Sequence, residues 1–267
     1  MLETLELGLF WGATALYGLA WASHLAGWKR SSDAHTGAAV GILWAGWLLN
    51  VAMVGLRWVR AEHVPMLSAF EFVTFFAMLV IGGFLLFAFR ERNRMLGVFL
   101  VPVGLLLMVY AAFMPKDIEP ELSIFKGFLL QFHILTTLLG YAAWAVTFAA
   151  SICYLYLERK GEKNPGLFDQ MAYRAAFFAF AFLTLGIITG ALWGDRVFGQ
   201  LWFWDPKETW SFITWLIFMA YLHARYTLEW RGRRAAILAI VGFAALVFTY
   251  VGVDFLLPQI HGVQEAQ

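Results

Sequence analysis

This sequence has little charge and almost no cysteine. Of its 267 residues, 14% are charged and 61% are hydrophobic, and the net charge is +1. Soluble domains carry about a quarter charged residues, so the composition excludes an ordinary soluble domain. The near-neutral balance offers no basic surface to a nucleic acid. Cys153 is the single cysteine, which excludes an internal disulfide and any CxxC redox or zinc motif.

Long apolar runs predict a helical membrane protein. A membrane-spanning helix needs about 20 apolar residues, and solid apolar blocks favour helices over the alternating strands of a β-barrel. The acidic start, MLETLELGLF, lacks the basic residues and cleavage site of a signal peptide, so we expect a retained first span. We predict an all-α polytopic bundle forming a single integral membrane domain, residues 1–267. Its eight transmembrane helices are expected at about 5–26, 37–59, 66–89, 95–113, 127–157, 170–192, 208–228 and 235–256.

The basic residues predict the orientation. Thirteen Lys and Arg residues lie in or beside the odd-numbered loops, and six lie in the even-numbered loops. Because cytoplasmic loops carry the excess of basic residues, we expect both termini and the sixth loop outside. The shortness of the loops favours a bacterial plasma membrane over a thylakoid membrane.

The sixth loop runs into helix seven with an unusual segment, WFWDPKETW at 202–210. Asp205 is placed to cap the helix, with Pro206 at its first position and Glu208 in its first turn. That assignment leaves Trp202 and Trp204 before the helix, as a flat apolar surface at the water boundary. An ordinary interfacial belt of tryptophans is the alternative.

The histidines divide between the outer side and the helices. His24 and His223 lie within helices one and seven, where an ionisable side chain is a functional candidate unless it bonds a neighbouring helix carbonyl. His63 and His35 are expected to be exposed loop residues, outside and in the cytoplasm. His133, early in helix five, and His261, just past helix eight, belong to the outer side.

Two histidines beside an apolar aromatic surface suit haem. Haem is planar and largely apolar, and its iron accepts imidazole nitrogens from both sides. Tryptophan rings can cover the porphyrin, and Lys207 or Arg196 can pair with the propionates. Zinc is the rival, but a zinc site needs three or four ligands and leaves the tryptophans unexplained.

The segment GALWGDRVFGQLWFWDPKETWSFITWLIFMAYLHAR, residues 190–225, closely resembles the tryptophan-rich WWD segment of the CcsA/ResC family. These are haem-handling membrane proteins of cytochrome c maturation. VPMLSAFEF (64–72), FHILTTLLGYAAW (132–144) and YVGVDFLLPQIHG (250–262) resemble further parts of the family's pattern. Phe198, Leu201 and Asp254 depart from it, and leave open a haem-related paralogue.

The resemblance implies a WWD segment at about 190–215 that holds haem b non-covalently and transiently. It implies His133 and His261 as external axial ligands and His223 as an intramembrane ligand, with His24 a conceivable second ligand beside His223. The haem surface and its ordering residue would be Trp193, Trp202, Trp204, Trp210 and Asp205.

The resemblance also implies partners. In the family, haem is joined to the CxxCH thiols of an apocytochrome c, beside a CcsB/ResB-like membrane subunit and a thioredoxin-like reductant. This chain is then expected to be a subunit of a holocytochrome c synthase. No acid–base pair stands out: Glu71 is expected to be a structural partner of a helix end or of Arg57 or Arg60. The alternatives are a haem-binding accessory or regulatory protein, and a transporter or channel accessory protein that binds no haem.

Overall fold

The computed structural model describes residues 1–30, 33–91, 94–118, 125–161 and 165–256. All regular structure within these ranges is helical, which confirms the predicted all-α class. The helices are α1 (Leu2–Arg30), α2 (Asp33–Ala61), α3 (Ala69–Glu91), α4 (Arg94–Ala112), α5 (Phe128–Arg159), α6 (Gly166–Phe198), α7 (Pro206–Tyr226) and α8 (Arg233–Val247), followed by a π-helical turn (Phe248–Gly252) and α9 (Val253–Leu256).

Each of the eight predicted stretches overlaps one of the helices α1 to α8. In the described residues six helices are long and apolar enough to cross a membrane. The other two predicted spans, α1 and α7, are not among these six. The six candidate spans are Gly37–Ala61, Ala69–Leu86, Met95–Ala112, Phe128–Arg159, Gly166–Phe198 and Arg233–Gly252.

The helices group into two compact units, Met1–Lys126 and Gly127–Gln267. In the first unit α1 packs on α2 and α4, while α3 packs on α2 and α4. In the second unit α5 packs on α6 and α8, while α7 packs on α6 and α8. The WWD segment and the histidines of the candidate site in described ranges therefore belong to the second unit.

A buried charge cluster joins the helix ends of the first unit. The guanidinium of Arg57 donates from Nε to Glu71 Oε1 at 2.9 Å and from Nη1 to Glu6 Oε1 at 3.0 Å. It also donates to the carbonyls of Lys116 and Asp117 at 2.6 and 2.8 Å. Arg57, Glu6 and Glu71 have side chains no more than 4% exposed. The expected structural role of Glu71 as a partner of Arg57 is confirmed.

Glu71 also fixes the start of α3. Its backbone N–H donates to Ser68 Oγ at 3.2 Å, and its Oε2 accepts from the N–H groups of Leu67 and Ser68, both at 3.1 Å. This reciprocal pair is a capping box. One carboxylate thereby serves both the helix start and the buried guanidinium.

In the second unit, a smaller polar contact links the C-terminal end of α7 to α6 and to the residue before α8. Asp169 Oδ1 accepts from Arg225 Nη1 at 2.6 Å and from the backbone N–H of Gly232 at 2.9 Å. The unit's core contains Trp144, which is fully buried and stacks on Phe218 with ring centroids 3.4 Å apart. The side chain of Cys153, in α5, is fully buried in this core.

Two histidines of the first unit differ from expectation. His24 makes no bond to a neighbouring carbonyl: its ring is fully buried, and neither nitrogen has a hydrogen-bond partner within the described residues. It packs edge-on against Phe84 and lies over Gly97, where a Cβ would approach the ring to 2.6 Å.

His63 is buried, with 7% exposure, so its predicted exposure was wrong. The chain turns sharply at Glu62, which has a φ of 59°, and the His63 Nδ1 lies 3.1 Å from the carbonyl of Val64. The other predicted loop residue, His35, belongs to the first turn of α2 rather than to a loop, with Nε2 3.3 Å from Arg30 Nη1.

The charge cluster predicts unequal effects of removing its two arginines. Arg57→Ala strips a buried carboxylate of its partner, which typically costs about 3–5 kcal/mol. Arg60→Ala is the matched control, because Arg60 is 20% exposed and Glu6 keeps Arg57. Thermal unfolding of the detergent-solubilised protein, followed by circular dichroism, should show a much larger fall in midpoint for Arg57→Ala. Equal falls would contradict the buried cluster.

Candidate functional site

The WWD segment leaves α6 and enters α7 through two left-handed residues. Gly199 ends α6 with φ 73°, and its N–H donates to the carbonyl of Asp195. Trp204 has φ 57°, a conformation that costs a non-glycine residue roughly 1–2 kcal/mol. Strain of this kind persists only where surrounding contacts fix the backbone.

Side-chain hydrogen bonds supply those contacts. Asp205 Oδ1 accepts from the Glu208 N–H at 2.7 Å, and Pro206 occupies the first helical position. The predicted cap is therefore confirmed. Glu208 reaches further back, where its Oε2 accepts from the Phe203 N–H at 2.7 Å. Thr209 Oγ1 donates to the carbonyl of Trp204 at 3.3 Å.

The segment presents aromatic rings to its surroundings. Trp204 is 68% exposed and Phe203 is 41% exposed. Trp202 packs edge-on against Trp204 and Phe212, with ring centroids 5.9 and 6.3 Å apart. The indole N–H of Trp202 is buried and has no acceptor in the described residues. The result is a firmly anchored loop whose apolar rings are left uncovered.

The other tryptophans assigned to the haem surface lie around this loop. Trp193 meets Phe198 at 5.6 Å, and Phe198 meets Phe203 at 5.6 Å, so Trp193 continues the aromatic surface along α6. Trp210 packs on Phe248 at 4.3 Å, towards α8. Because residues two apart on a helix are about 200° apart around its axis, Trp210 and Phe212 occupy different faces of α7.

His133 lies on α5, where the ring packs against α6. Its Nδ1 is 2.7 Å from the carbonyl oxygen of Gly186. A carbonyl oxygen only accepts, so Nδ1 carries the proton, and the neutral ring has its lone pair on Nε2. A Cβ at Gly190 would lie 2.6 Å from Nδ1 and 2.7 Å from Cε1. Gly190 is about one turn before Trp193 on α6, so the imidazole packs on α6 about one turn from the first tryptophan of the aromatic surface.

His223 lies far from this end of the unit. It is near the end of α7, about 26 Å along the helix from Pro206, on an exposed face. Its Nδ1 is 3.4 Å from Oγ1 of Thr227, the residue that caps the C-terminus of the same helix. His261, the predicted second external ligand, lies outside the described residues. His133 therefore packs on α6, the helix that leads into the WWD segment, whereas His223 lies at the opposite end of α7 from that segment.

The chemistry of these residues fits haem better than zinc. An imidazole with its lone pair on Nε2 is a suitable axial ligand, and exposed indoles suit a porphyrin face. Within the described ranges there is no group of three or more His, Cys, Asp or Glu side chains that could hold a metal ion. A zinc site of three or four such ligands therefore has no support there.

Sequence reasoning missed the residues that hold the imidazole. Gly186, Gly190 and Gly194 recur at every fourth position of α6, a spacing of small residues that lets membrane helices approach closely. That pattern was present in the sequence and would have predicted a close partner for α6. No sequence pattern predicts the hydrogen bond between His133 and the Gly186 carbonyl. The same is true of the bond from the Phe203 N–H to Glu208.

Fold and site together define a class: a multi-pass helical protein with an anchored, aromatic interhelical segment and an imidazole oriented against the helix that leads into it. Residues 47–261 match the family model described as "Cytochrome C assembly protein". The chain is 31% identical to the cytochrome c biogenesis protein CcsA of Gloeobacter violaceus, covering 93% of this chain and 91% of that protein. The chain therefore belongs to the cytochrome c assembly family, in its CcsA group.

Other relatives agree. CcsA of Synechococcus elongatus is 32% identical, covering 80% of this chain and 83% of that protein. CcsA of Chlamydomonas reinhardtii is 33% identical over 80% of this chain, which spans 65% of that protein's length. The solved structure of the cytochrome c haem lyase CcmF shares the fold, with a TM-score of 0.76 and 17% identity. That likeness covers 94% of this chain and 47% of CcmF.

The cap of α7 predicts different outcomes for two substitutions of Asp205. Asp205→Ala removes the cap and should lower stability by about 1 kcal/mol, while loosening residues 199–204. Asp205→Asn keeps an acceptor oxygen and serves as the matched control. We expect limited proteolysis to cleave the segment faster in Asp205→Ala than in Asp205→Asn. Equal cleavage rates would show that the side-chain cap does not order the loop.

Proposed function

We propose that this chain holds haem at the extracytoplasmic face of a membrane and presents it for covalent attachment to an apocytochrome c. It would act as the CcsA-like subunit of a system II maturation complex. The proposal is carried by two observations: the WWD segment exposes aromatic rings, and the His133 imidazole is oriented by a bond to α6, the helix that leads into that segment. Membership of the cytochrome c assembly family supports the same conclusion.

The chain's own residues contribute position rather than acid–base chemistry. His133 orients the iron through Nε2, and Trp202 and Trp204 lie against the porphyrin face. Asp205 and Glu208 hold the segment so that its rings stay uncovered. Haem, the cargo, supplies the vinyl groups, and each apocytochrome thiol adds across one of them to form a thioether. Holding reactants in one geometry is a large part of such a reaction's barrier reduction.

The proposal also includes the haem ligands, the placement in the membrane and the protein partners. Haem b is bound non-covalently, with His261 as the second external ligand, His223 as an intramembrane ligand, and Trp193 and Trp210 completing the surface. Residues 1–267 form one membrane domain with eight spans in a bacterial plasma membrane, both termini outside. The partners are a CcsB/ResB-like subunit, an apocytochrome c with CxxCH, and a thioredoxin-like reductant.

Copurified haem tests the binding part of the proposal. The wild-type protein from haem-replete cells should show a bis-histidine absorption spectrum, which the double variant His133→Ala, His261→Ala should lose. Trp204→Ala should lower the haem content. Trp58→Ala is the control, because Trp58 is 53% exposed and lies in the first unit. A colourless wild-type preparation would favour the transporter or channel alternative and reject haem binding.

Co-expression tests the maturation part. The chain should yield covalent cytochrome c when expressed with a CcsB-like partner and an apocytochrome c, and the yield should collapse in Trp204→Ala. The readout is haem staining of the denatured cytochrome. Haem-loaded protein that makes no covalent cytochrome, in a host where a known pair succeeds, would instead establish an accessory haem-binding role.

A further inference from the structure

We propose that Gly190 is a positioning residue for haem: by lacking a side chain it lets His133 bond Gly186, which sets the ring's tautomer and strengthens Nε2 as an iron ligand. This inference rests on the proposed function and goes beyond it. It states that two glycines of α6, one as hydrogen-bond acceptor and one by leaving room for the ring, determine how strongly His133 binds iron.

The close approach of α5 and α6 provides the geometry. A Cβ at Gly190 would come within 2.6 Å of the His133 Nδ1, a distance that real Cβ atoms do not show. A Cβ at Gly186 would collide with Thr137 Oγ1, one turn along α5 from His133. Any side chain at position 190 must therefore push the imidazole away from the Gly186 carbonyl. The His133 ring and the α6 backbone can meet only because position 190 is glycine.

The hydrogen bond determines which nitrogen faces the iron. With the proton on Nδ1, donated to Gly186 at 2.7 Å, the lone pair belongs to Nε2. A carbonyl acceptor on the far nitrogen also raises the basicity of a ligating imidazole and fixes its plane. Thr189 Oγ1 lies 3.2 Å from the same carbonyl, so this oxygen is anchored from its own helix.

Loss of such an outer partner typically lowers metal affinity about 10- to 100-fold. We expect Gly190→Ala to lower haem affinity by a factor in that range. The reduction potential of bound haem should rise, because a weaker donor stabilises ferric iron less. Both changes should act through His133 alone.

Gly140→Ala is the matched control. Gly140 lies in the same α5–α6 interface, where a Cβ would lie 3.0 Å from the backbone N of Leu183 and 3.1 Å from the Ala179 carbonyl. It disturbs helix packing to a similar degree without touching His133. Gly18→Ala, where a Cβ meets nothing within 4 Å, measures the effect of the substitution itself.

The first measurement needs no haem. In ¹⁵N-histidine-labelled, haem-free protein in nanodiscs, nitrogen chemical shifts report which ring nitrogen carries the proton, and His133→Asn assigns the signal. Neutral His133 should carry its proton on Nδ1 in the wild type and in Gly140→Ala, and lose that preference in Gly190→Ala. A wild-type proton on Nε2 would overturn the inference, whatever the variants do.

The second measurement is a haem titration in two backgrounds. Gly190→Ala should weaken binding in the wild type but cause no further loss in His133→Gly protein supplied with free imidazole. Equal losses in both backgrounds, or equal effects of Gly190→Ala and Gly140→Ala on affinity and potential, would reject the inference while leaving haem binding intact. A wild-type protein that binds no haem would overturn the proposed function, with the tautomer result standing apart.

Discussion

The close approach of α5 and α6 is the constraint on which the proposed site depends. Two glycines, 186 and 190, remove the side chains that would separate the helices, and the carbonyl of Gly186 becomes reachable from His133. In a membrane, where hydrophobic burial does not drive helices together, small residues and interhelical hydrogen bonds provide this association. The same contact that stabilises the helix pair therefore also orients the imidazole.

The WWD segment depends on a different balance. Trp204 exposes most of its ring and adopts a left-handed backbone, which opposes folding. The cap by Asp205 and the bond from Phe203 to Glu208 offset this cost. In the proposed function, the exposed Trp204 indole and the Phe203 ring beside it remain available to an aromatic cargo. The strained backbone of the WWD segment therefore lowers stability at the place where haem is proposed to bind.

The helices and the cap could be predicted because their causes are local. Apolar runs of membrane length predict α2 to α6 and α8. The four residues Asp-Pro-Lys-Glu contain the cap and the first turn with which α7 begins. The buried state of His24 and His63 could not be predicted, because it depends on how neighbouring helices and one sharp turn at Glu62 close over them. Trp210 is a similar case: the sequence groups it with Trp202, but helix geometry turns it towards Phe248. The partner of His133 is 53 residues away in the chain, so only the packed helix pair identifies it.

A structure of the protein with bound haem tests the central claim most directly. The account predicts iron within bonding distance of the His133 Nε2, with Nδ1 still bonded to the Gly186 carbonyl and the porphyrin lying against Trp202 and Trp204. Iron held by other residues, with His133 buried against α6 and its Nε2 turned away from the porphyrin, would contradict it.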